Sequence, residues 1–204
     1  MQGRERRALE DDDMNVIQAR LEDDRVVVDG RDAVEELRRR GYGDRDEQQD
    51  GRYSLYMYEA LYLLYTKKVR ISKKDGSDAD LEFDELVGEA LKHDPSILTK
   101  FIIYRDLRSR GYVAREGFGF GNDFRVYERG DYNVKPARYV VFGLNEGREV
   151  KIDALSRMVE QIGNMGKEPI VAVIERRGEV IYYKVERMRF VELKRVSIDE
   201  QVSE

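Results

Sequence analysis

Two sets of residues in this 204-residue chain have types and spacing that could do chemistry. The first is the glycine-rich run Gly117-Phe-Gly-Phe-Gly121, which is comparable with loops that cradle phosphates. Such loops lead from a strand directly into a helix N-terminus, whose free N–H groups bind the anion. A strand pattern follows Gly121 instead. We therefore interpret the run as a backbone bend whose phenylalanines pack inward.

The second set surrounds Tyr127 and contains the cations Arg125, Arg129 and Lys135. A free tyrosine has a pKa of about 10, so its hydroxyl needs nearby positive charge or strong hydrogen bonding to exchange a proton near neutral pH. The three cations are close enough in sequence to supply that charge. Because the chain has 13 tyrosines, the alternative is an ordinary amphipathic ring at the edge of the core.

Composition excludes several classes of protein. Without cysteine the chain has neither disulfides nor thiolate metal sites. No apolar run approaches the roughly 18 residues of a membrane span, and the acidic N-terminus is unlike a secretory signal. We therefore expect a cytoplasmic protein with no membrane partner. The only histidine, His93, ends a predicted helix, where a cation stabilises the helix C-terminus.

The distribution of charge is more informative than the net charge of −5. Residues 1–95 carry 17 basic and 25 acidic side chains, whereas residues 96–195 carry 20 basic and 14 acidic ones. Screening limits the reach of each charge to about 8–10 Å at physiological salt. The basic half can therefore attract phosphates although the whole chain is acidic. The alternative is that these charges are solvated helix faces.

The elements that position these residues predict an α/β fold of two small domains. We expect a flexible acidic tail over 1–13, an N-terminal α/β domain over 14–95, a second domain over 96–195, and an acidic tail over 196–204. In the first domain we predict a strand at 25–28, a helix at 32–41, a helix at 54–66 capped by Ser54, a strand at 69–71 and a helix at 84–92.

The second domain is predicted to be a mixed sheet flanked by helices. Its predicted elements are a helix at 98–110, strands at 112–115, 124–127 and 138–144, a helix at 153–162, and a hairpin at 170–185 with a four-residue connection.

The run Tyr104-Arg-Asp-Leu-Arg-Ser-Arg-Gly-Tyr112, followed by the glycine bend and Asp123-Phe-Arg-Val-Tyr-Glu-Arg-Gly130, resembles the central signature of the archaeal tRNA-splicing endonucleases. Those enzymes cut introns from precursor tRNA at a bulge-helix-bulge. The segment 53–64 is similar to the first domain of the family, so the similarity spans roughly residues 50–190. It implies a nuclease-like second domain, no metal or cofactor, and cleavage to a 2′,3′-cyclic phosphate and a 5′-hydroxyl.

The resemblance also implies catalytic roles. Tyr127 would take the proton from the 2′-hydroxyl that attacks the phosphate, and Lys167 would stabilise the charge of the pentavalent phosphate. A histidine a few residues before the strand at 138–144 would protonate the leaving 5′-oxygen, but Pro136 and Ala137 stand there. Loss of a general acid costs about 10²–10⁴-fold in rate. For Lys167, the alternative is an ordinary solvent-facing lysine in a turn.

RNA contacts are implied for several arginines. In the family, an arginine about seven residues before the catalytic lysine binds a bulged base. Counting back seven residues from Lys167 gives Glu160, and Arg157 is nearby. The remaining candidates for RNA binding are Arg125, Arg129 and Arg138.

Subunit docking is implied for the last hairpin. In the family an acidic loop between the last two strands enters a basic pocket of a neighbouring subunit. Here Glu175 and Glu179 flank the pair Arg176-Arg177, which weakens the acidic character of the loop.

Three functions remain open. The leading hypothesis is a non-catalytic, structural subunit of a tRNA-splicing endonuclease that acts on precursor tRNA, with two copies paired to two copies of a catalytic chain. The second is an endonuclease that uses Tyr127 and Lys167 and whose histidine has been replaced, naturally or by engineering. The third is a monomeric module that binds folded RNA without nuclease assembly, with strongly salt-dependent affinity.

Overall fold

The computed structural model describes residues 14–46, 52–73, 79–119, 121, 123–145 and 149–188. The predicted tails at 1–13 and 196–204 lie outside the described residues. Ten strands and five helices are formed within those ranges. In chain order they are β1 Ile17–Glu22, β2 Arg25–Val28, α1 Arg31–Arg39, β3 Asp44–Asp46, β4 Arg52–Leu55, α2 Met57–Tyr65, β5 Val69–Ser72, α3 Phe83–His93, α4 Ile97–Ser109, β6 Val113–Glu116, β7 Asp123–Tyr127, β8 Tyr139–Asn145, α5 Ile152–Asn164, β9 Glu168–Ile174 and β10 Val180–Lys184.

The first sheet has the strand order β3-β4-β2-β1-β5. Strands β1 and β2 form a hairpin, and Asp23 in its turn has a positive φ of 52°. Strand β5 joins β1 in parallel, whereas the other pairs are antiparallel. Helix α2 is apolar around most of its circumference, and seven of its nine residues are buried. That burial confirms a central helix in this part of the chain.

The prediction that Ser54 caps this helix is wrong. Ser54 lies in β4, where it pairs with Val27 on one side and Asp44 on the other. Helix α2 begins at Met57 instead, and the carboxylate of Glu59 accepts a hydrogen bond of 3.0 Å from the N–H of Tyr56. The side chain of Glu59 therefore satisfies a helix-terminal N–H group that Ser54 was expected to satisfy.

The second sheet has the order β10-β9-β8-β7-β6, with β8 and β9 parallel and the other pairs antiparallel. Helix α5 connects the parallel strands and packs on one face of the sheet, where its Ile162 meets Val140, Phe142 and Val171. The opposite face packs against α4 and the first domain. The predicted mixed sheet flanked by helices is confirmed, and the last hairpin has five residues outside its strands rather than four.

One continuous core joins the two sheets. It runs from Met14 to Val180 and includes buried residues of both domains. Across the boundary, the ring of Tyr58 lies 5.0 Å from that of Tyr104 and 5.2 Å from that of Phe124. The two domains are therefore packed as a single hydrophobic unit rather than as separate bodies.

A buried ion pair accompanies this packing. Glu59 is fully buried and Arg115 is 9% exposed, and their side chains approach to 3.7 Å. Arg115 also lies 3.4 Å from Asp44. Burial raises the pKa of the Glu59 carboxyl, and the Arg115 guanidinium opposes that rise. The charges of α2 and β6 thus depend on each other across the domain boundary.

Among the helices that the structure describes, none is both long and apolar enough to cross a bilayer.

Candidate active site

Strand pairing brings Tyr127 and Lys167 into one row at one end of the second sheet. In β7 and β8, Val126 pairs with Tyr139, so Tyr127 lies opposite Arg138. In β8 and β9, Tyr139 pairs with Glu168, so Lys167 lies on the other side of Arg138. Because neighbouring strands are about 4.8 Å apart, the Cα atoms of Tyr127 and Lys167 are separated by about 10 Å.

The ammonium group of Lys167 is held at the start of β8. Its Nζ donates a hydrogen bond of 2.8 Å to the main-chain carbonyl of Ala137. This is the segment in which the sequence offers Pro136 and Ala137 instead of a histidine. Since an ammonium group has three N–H donors, Lys167 keeps donors for a phosphate while the carbonyl fixes its position.

The ring of Tyr127 is held edge-to-face against Tyr132, with 5.2 Å between centroids. Tyr132 in turn packs beside Gly41, where a Cβ atom would lie 3.1 Å from the Tyr132 ring. Gly41 has a positive φ of 76°, so a side chain there would be strained as well as crowded. Within the described residues, nothing hydrogen-bonds to the hydroxyl of Tyr127. The phenol is thus oriented by its ring and keeps its oxygen for a ligand.

Neither Pro136 nor Ala137 can donate a proton from its side chain. Pro136 is exposed, whereas Ala137 is 5% exposed, directly before the row that holds Tyr127 and Lys167. The only histidine, His93, is exposed at the end of α3 in the first domain. Its predicted place in the last helical turn is confirmed. The chain has no other imidazole, so neither of the two positions at which the resemblance predicts a histidine carries one.

Arg138, between the two candidate catalytic residues, is held by carboxylates. Its guanidinium contacts Glu128 at 2.6 Å and Glu168 at 2.9 Å, and lies 5.1 Å from the ring of Tyr139. The hydrogen bond to Glu168, with the charge of Glu128, raises the pKa of Arg138. Burial and a hydrogen bond to Glu128 raise the pKa of Tyr139 to about 12. A phosphate that binds Arg138 must compete with both carboxylates.

Glu168 extends this network to the edge strand. Lys184 of β10 contacts Glu168 at 3.0 Å, and the hydrogen bonds from Lys184 and Arg138 lower the pKa of the Glu168 carboxyl. Four adjacent strands are thereby linked by alternating charges. The sequence analysis did not identify Glu128 and Glu168. Their alternation with Arg138 and Lys184 becomes visible only when the order and register of the four strands are known.

The prediction that the phenylalanines of the glycine bend pack inward is wrong for Phe118, which is 41% exposed. Phe120 lies outside the described residues. The ring of Phe118 lies 6.0 Å from the Nζ of Lys167 and 5.5 Å from the guanidinium of Arg125. Arg125 also donates a hydrogen bond of 2.7 Å to the carbonyl of Glu116. The bend thus places an exposed ring within 6 Å of two cations, one of which is Lys167 of the candidate site.

The other arginines expected to bind RNA lie at separate places. Arg129 is exposed directly after β7, and Arg157 is exposed on α5, where it forms an ion pair of 3.0 Å with Asp153. Glu160, seven residues before Lys167, contacts Arg187 at 3.2 Å. A guanidinium therefore reaches position 160 from the segment after β10, and not from α5 itself.

The turn expected to dock on a neighbour lies at the far end of β9. A hydrogen bond of 2.9 Å from the N–H of Glu175 to the carbonyl of Glu179 closes this turn, and Arg176 and Arg177 form its exposed tip. The seven residues of β9 separate it from Lys167 by roughly 23 Å. Glu175 and Glu179 of one chain are therefore not part of that chain's own candidate site.

In the ranges described, no three acidic or histidine side chains are grouped so that they could hold a metal ion. Residues 97–182 match the family model "tRNA intron endonuclease, catalytic C-terminal domain", and residues 17–87 match "tRNA intron endonuclease, N-terminal domain".

Curated relatives agree with these matches. The chain is 34% identical to a tRNA-splicing endonuclease of Methanococcus maripaludis over 83% of this chain and 93% of that protein. It is 32% identical to one of Pyrococcus furiosus over 86% of this chain and 98% of that protein. A longer tRNA-splicing endonuclease of Methanococcoides burtonii is 30% identical over 85% of this chain and 47% of its own length. The chain belongs to the tRNA intron endonuclease family.

Proposed function

We propose that this chain is a subunit of an endonuclease that excises introns from precursor tRNA, and that it does not cut RNA by itself. The observation that carries the proposal is that Lys167 is bonded to the main chain of the segment at 136–137, whose side chains, proline and alanine, have no proton to donate. Tyr127 supplies a phenol and Lys167 an ammonium, but the row contains no group to protonate the leaving 5′-oxygen. The chain then contributes RNA contacts and assembly, and a partner with a complete site cuts.

Three further features support this role. The arginines at 125, 129, 138 and 157 supply positive charge on the second domain, although 138 and 157 are paired with carboxylates. The turn that carries Glu175 and Glu179 projects away from the candidate site, as a docking element must. Two copies of this chain paired with two copies of a catalytic chain would give each docking turn a neighbour.

The experiment is a cleavage assay on a precursor tRNA with a bulge-helix-bulge. We expect the purified chain alone to leave the RNA intact, and a mixture with a family member that has all three catalytic residues to cut it. A mixture with that member inactivated at its own lysine is the control, and it should not cut. Light scattering of the mixture should give the mass of two plus two chains. Rapid cutting by this chain alone would contradict the proposal.

The position of Lys167 favours a second candidate, an endonuclease that lacks only its acid. The carbonyl of residue 137 accepts a hydrogen bond from the ammonium of Lys167, and strand pairing puts Tyr127 in the same row as Lys167, which supports a site that lacks one group of three. An imidazole at position 137 would complete the set. This candidate predicts recovery of cutting without any partner chain of another kind.

A further inference from the structure

The glycine bend holds Phe118 outward beside Lys167, although exposure of an apolar ring gives up the free energy that burial would gain. We propose that Phe118 is a stacking platform for an unpaired base of the RNA, and that Arg125 and Lys167 bind the phosphate of that nucleotide or of its neighbour. The choice of RNA as the ligand rests on the proposed function. The site itself is built from residues that the cleavage chemistry does not use, apart from Lys167.

The backbone fixes the ring in its exposed position. The N–H of Phe118 donates a hydrogen bond of 2.6 Å to Oδ2 of Asp123, whose side chain is buried. Gly117 packs so closely on this carboxylate that a Cβ atom there would lie 1.9 Å from Oδ2. Gly119 has a positive φ of 89°, which favours glycine in the turn after the ring. These constraints fix the backbone of the bend on both sides of the ring.

The surrounding charges select the kind of ligand. Both cations are fixed by main-chain carbonyls, Arg125 by that of Glu116 at 2.7 Å and Lys167 by that of Ala137 at 2.8 Å. An apolar protein surface laid on Phe118 would remove these two cations from water without compensation, which is costly. A nucleotide offers a flat base for the ring and an anionic phosphate for the cations, as in other sites that bind single-stranded nucleic acid.

Binding of a bulge-helix-bulge RNA that carries 2-aminopurine in one bulge tests the proposal. Stacking of this base on an aromatic ring quenches its fluorescence. We expect wild-type chain to quench one bulge position, and Phe118→Leu to abolish that quenching and weaken binding by about 5- to 100-fold. Phe118→Tyr keeps a stackable ring and should keep both signals. The matched control is Tyr65→Leu, which removes a 55% exposed ring on α2 and should leave both unchanged.

The outcomes separate this inference from the proposed function. If wild-type chain binds the bulged RNA and Phe118→Leu changes neither signal, stacking is refuted and the family function stands. A second arm uses a short single-stranded RNA with the same fluorescent base. Binding of that strand alone, with quenching that depends on Phe118, would support the platform and contradict bulge recognition. If wild-type chain binds neither RNA, the platform is refuted, whereas the proposed function still depends on the cleavage assay with the partner chain.

Discussion

Restoring an imidazole at position 137 is the sharpest perturbation that the structure suggests. Residue 137 immediately precedes Arg138, which lies between Tyr127 and Lys167 in the row. Its carbonyl accepts the 2.8 Å hydrogen bond from Lys167, so Ala137→His adds an imidazole next to both candidate residues in the sequence of contacts. General acids contribute about 10²–10⁴-fold, so we expect a gain of that order in single-turnover cleavage of a bulge-helix-bulge RNA. The control is Pro136→His, which adds the same group one residue earlier at an exposed position and should give no measurable gain.

The pH dependence of the restored rate identifies the new acid. Ala137 is 5% exposed, and burial together with the ammonium of Lys167 lowers the pKa of an imidazole there below about 6.5. A general acid must be protonated to act, so the rate should fall as pH rises through that lowered pKa. Adding Lys167→Ala to Ala137→His should reduce the gain by about 10²–10³-fold, as for other groups that stabilise developing charge.

Two results would refute this reasoning. If Ala137→His folds with an unchanged melting temperature and binds the RNA as the parent chain does, but gains no activity, the site lacks more than its acid. In that case only the role in assembly remains. An equal gain in Pro136→His would show that any nearby imidazole suffices and that the register of the row is unimportant.

Three further predictions concern stability. Arg115→Ala removes the guanidinium that is paired with the buried carboxylate of Glu59, although the N–H groups of Tyr56 and Gly43 still donate to that carboxylate. We expect the free energy of unfolding in urea titrations to fall by about 3–5 kcal/mol, and to fall more at pH 8 than at pH 5 because the carboxyl then favours its protonated form. An equal loss at both pH values would contradict this prediction. Hydrogen bonds from Lys184 and Arg138 lower the pKa of Glu168, so its carboxylate should stabilise the fold above pH 4.5 and lose that effect as pH falls through the folded-state pKa. In Glu168→Gln the urea midpoint should therefore change less with pH over this acidic range. Gly117→Ala forces a Cβ atom to 1.9 Å from Oδ2 of Asp123 and 2.6 Å from its carbonyl oxygen, and should lower the melting temperature by several degrees, whereas Gly88→Ala, in open space on α3, should not.

Much of the fold follows from local patterns in the sequence. The periodic run that predicts a helix at 98–110 forms α4 at Ile97–Ser109, and Gly111 follows it with a positive φ of 86°. Strand β7 also lies where alternation places it. The short strands β3 and β4 were missed, because a polar stretch precedes them and their pairing with β2 is decided by partners elsewhere in the chain.

In the candidate site, too, local sequence predicts some features, whereas others depend on residues that are distant in the chain. Residue type and family resemblance predict Tyr127 and Lys167, but only pairing across β8 shows that they share a row. Phe118 illustrates what local reasoning cannot supply, since its outward position depends on Asp123 and on contacts with Lys167, 49 positions along the chain. A phenylalanine in a glycine-rich bend is expected to be buried in the core. Here the hydrogen bond from its N–H group to the buried carboxylate of Asp123 holds the bend with the ring exposed.

Because both sheets share one hydrophobic core, the two domains cannot readily be exchanged one at a time between related proteins. In a chimera joined between α3 and α4, the rings of Tyr58 and Tyr62 would pack against residues of another protein instead of Tyr104. The ion pair between Glu59 and Arg115 would be lost as well. Exchange of one half between relatives would therefore demand matching changes in the other half. Duplication of the whole two-sheet unit would preserve every one of these contacts.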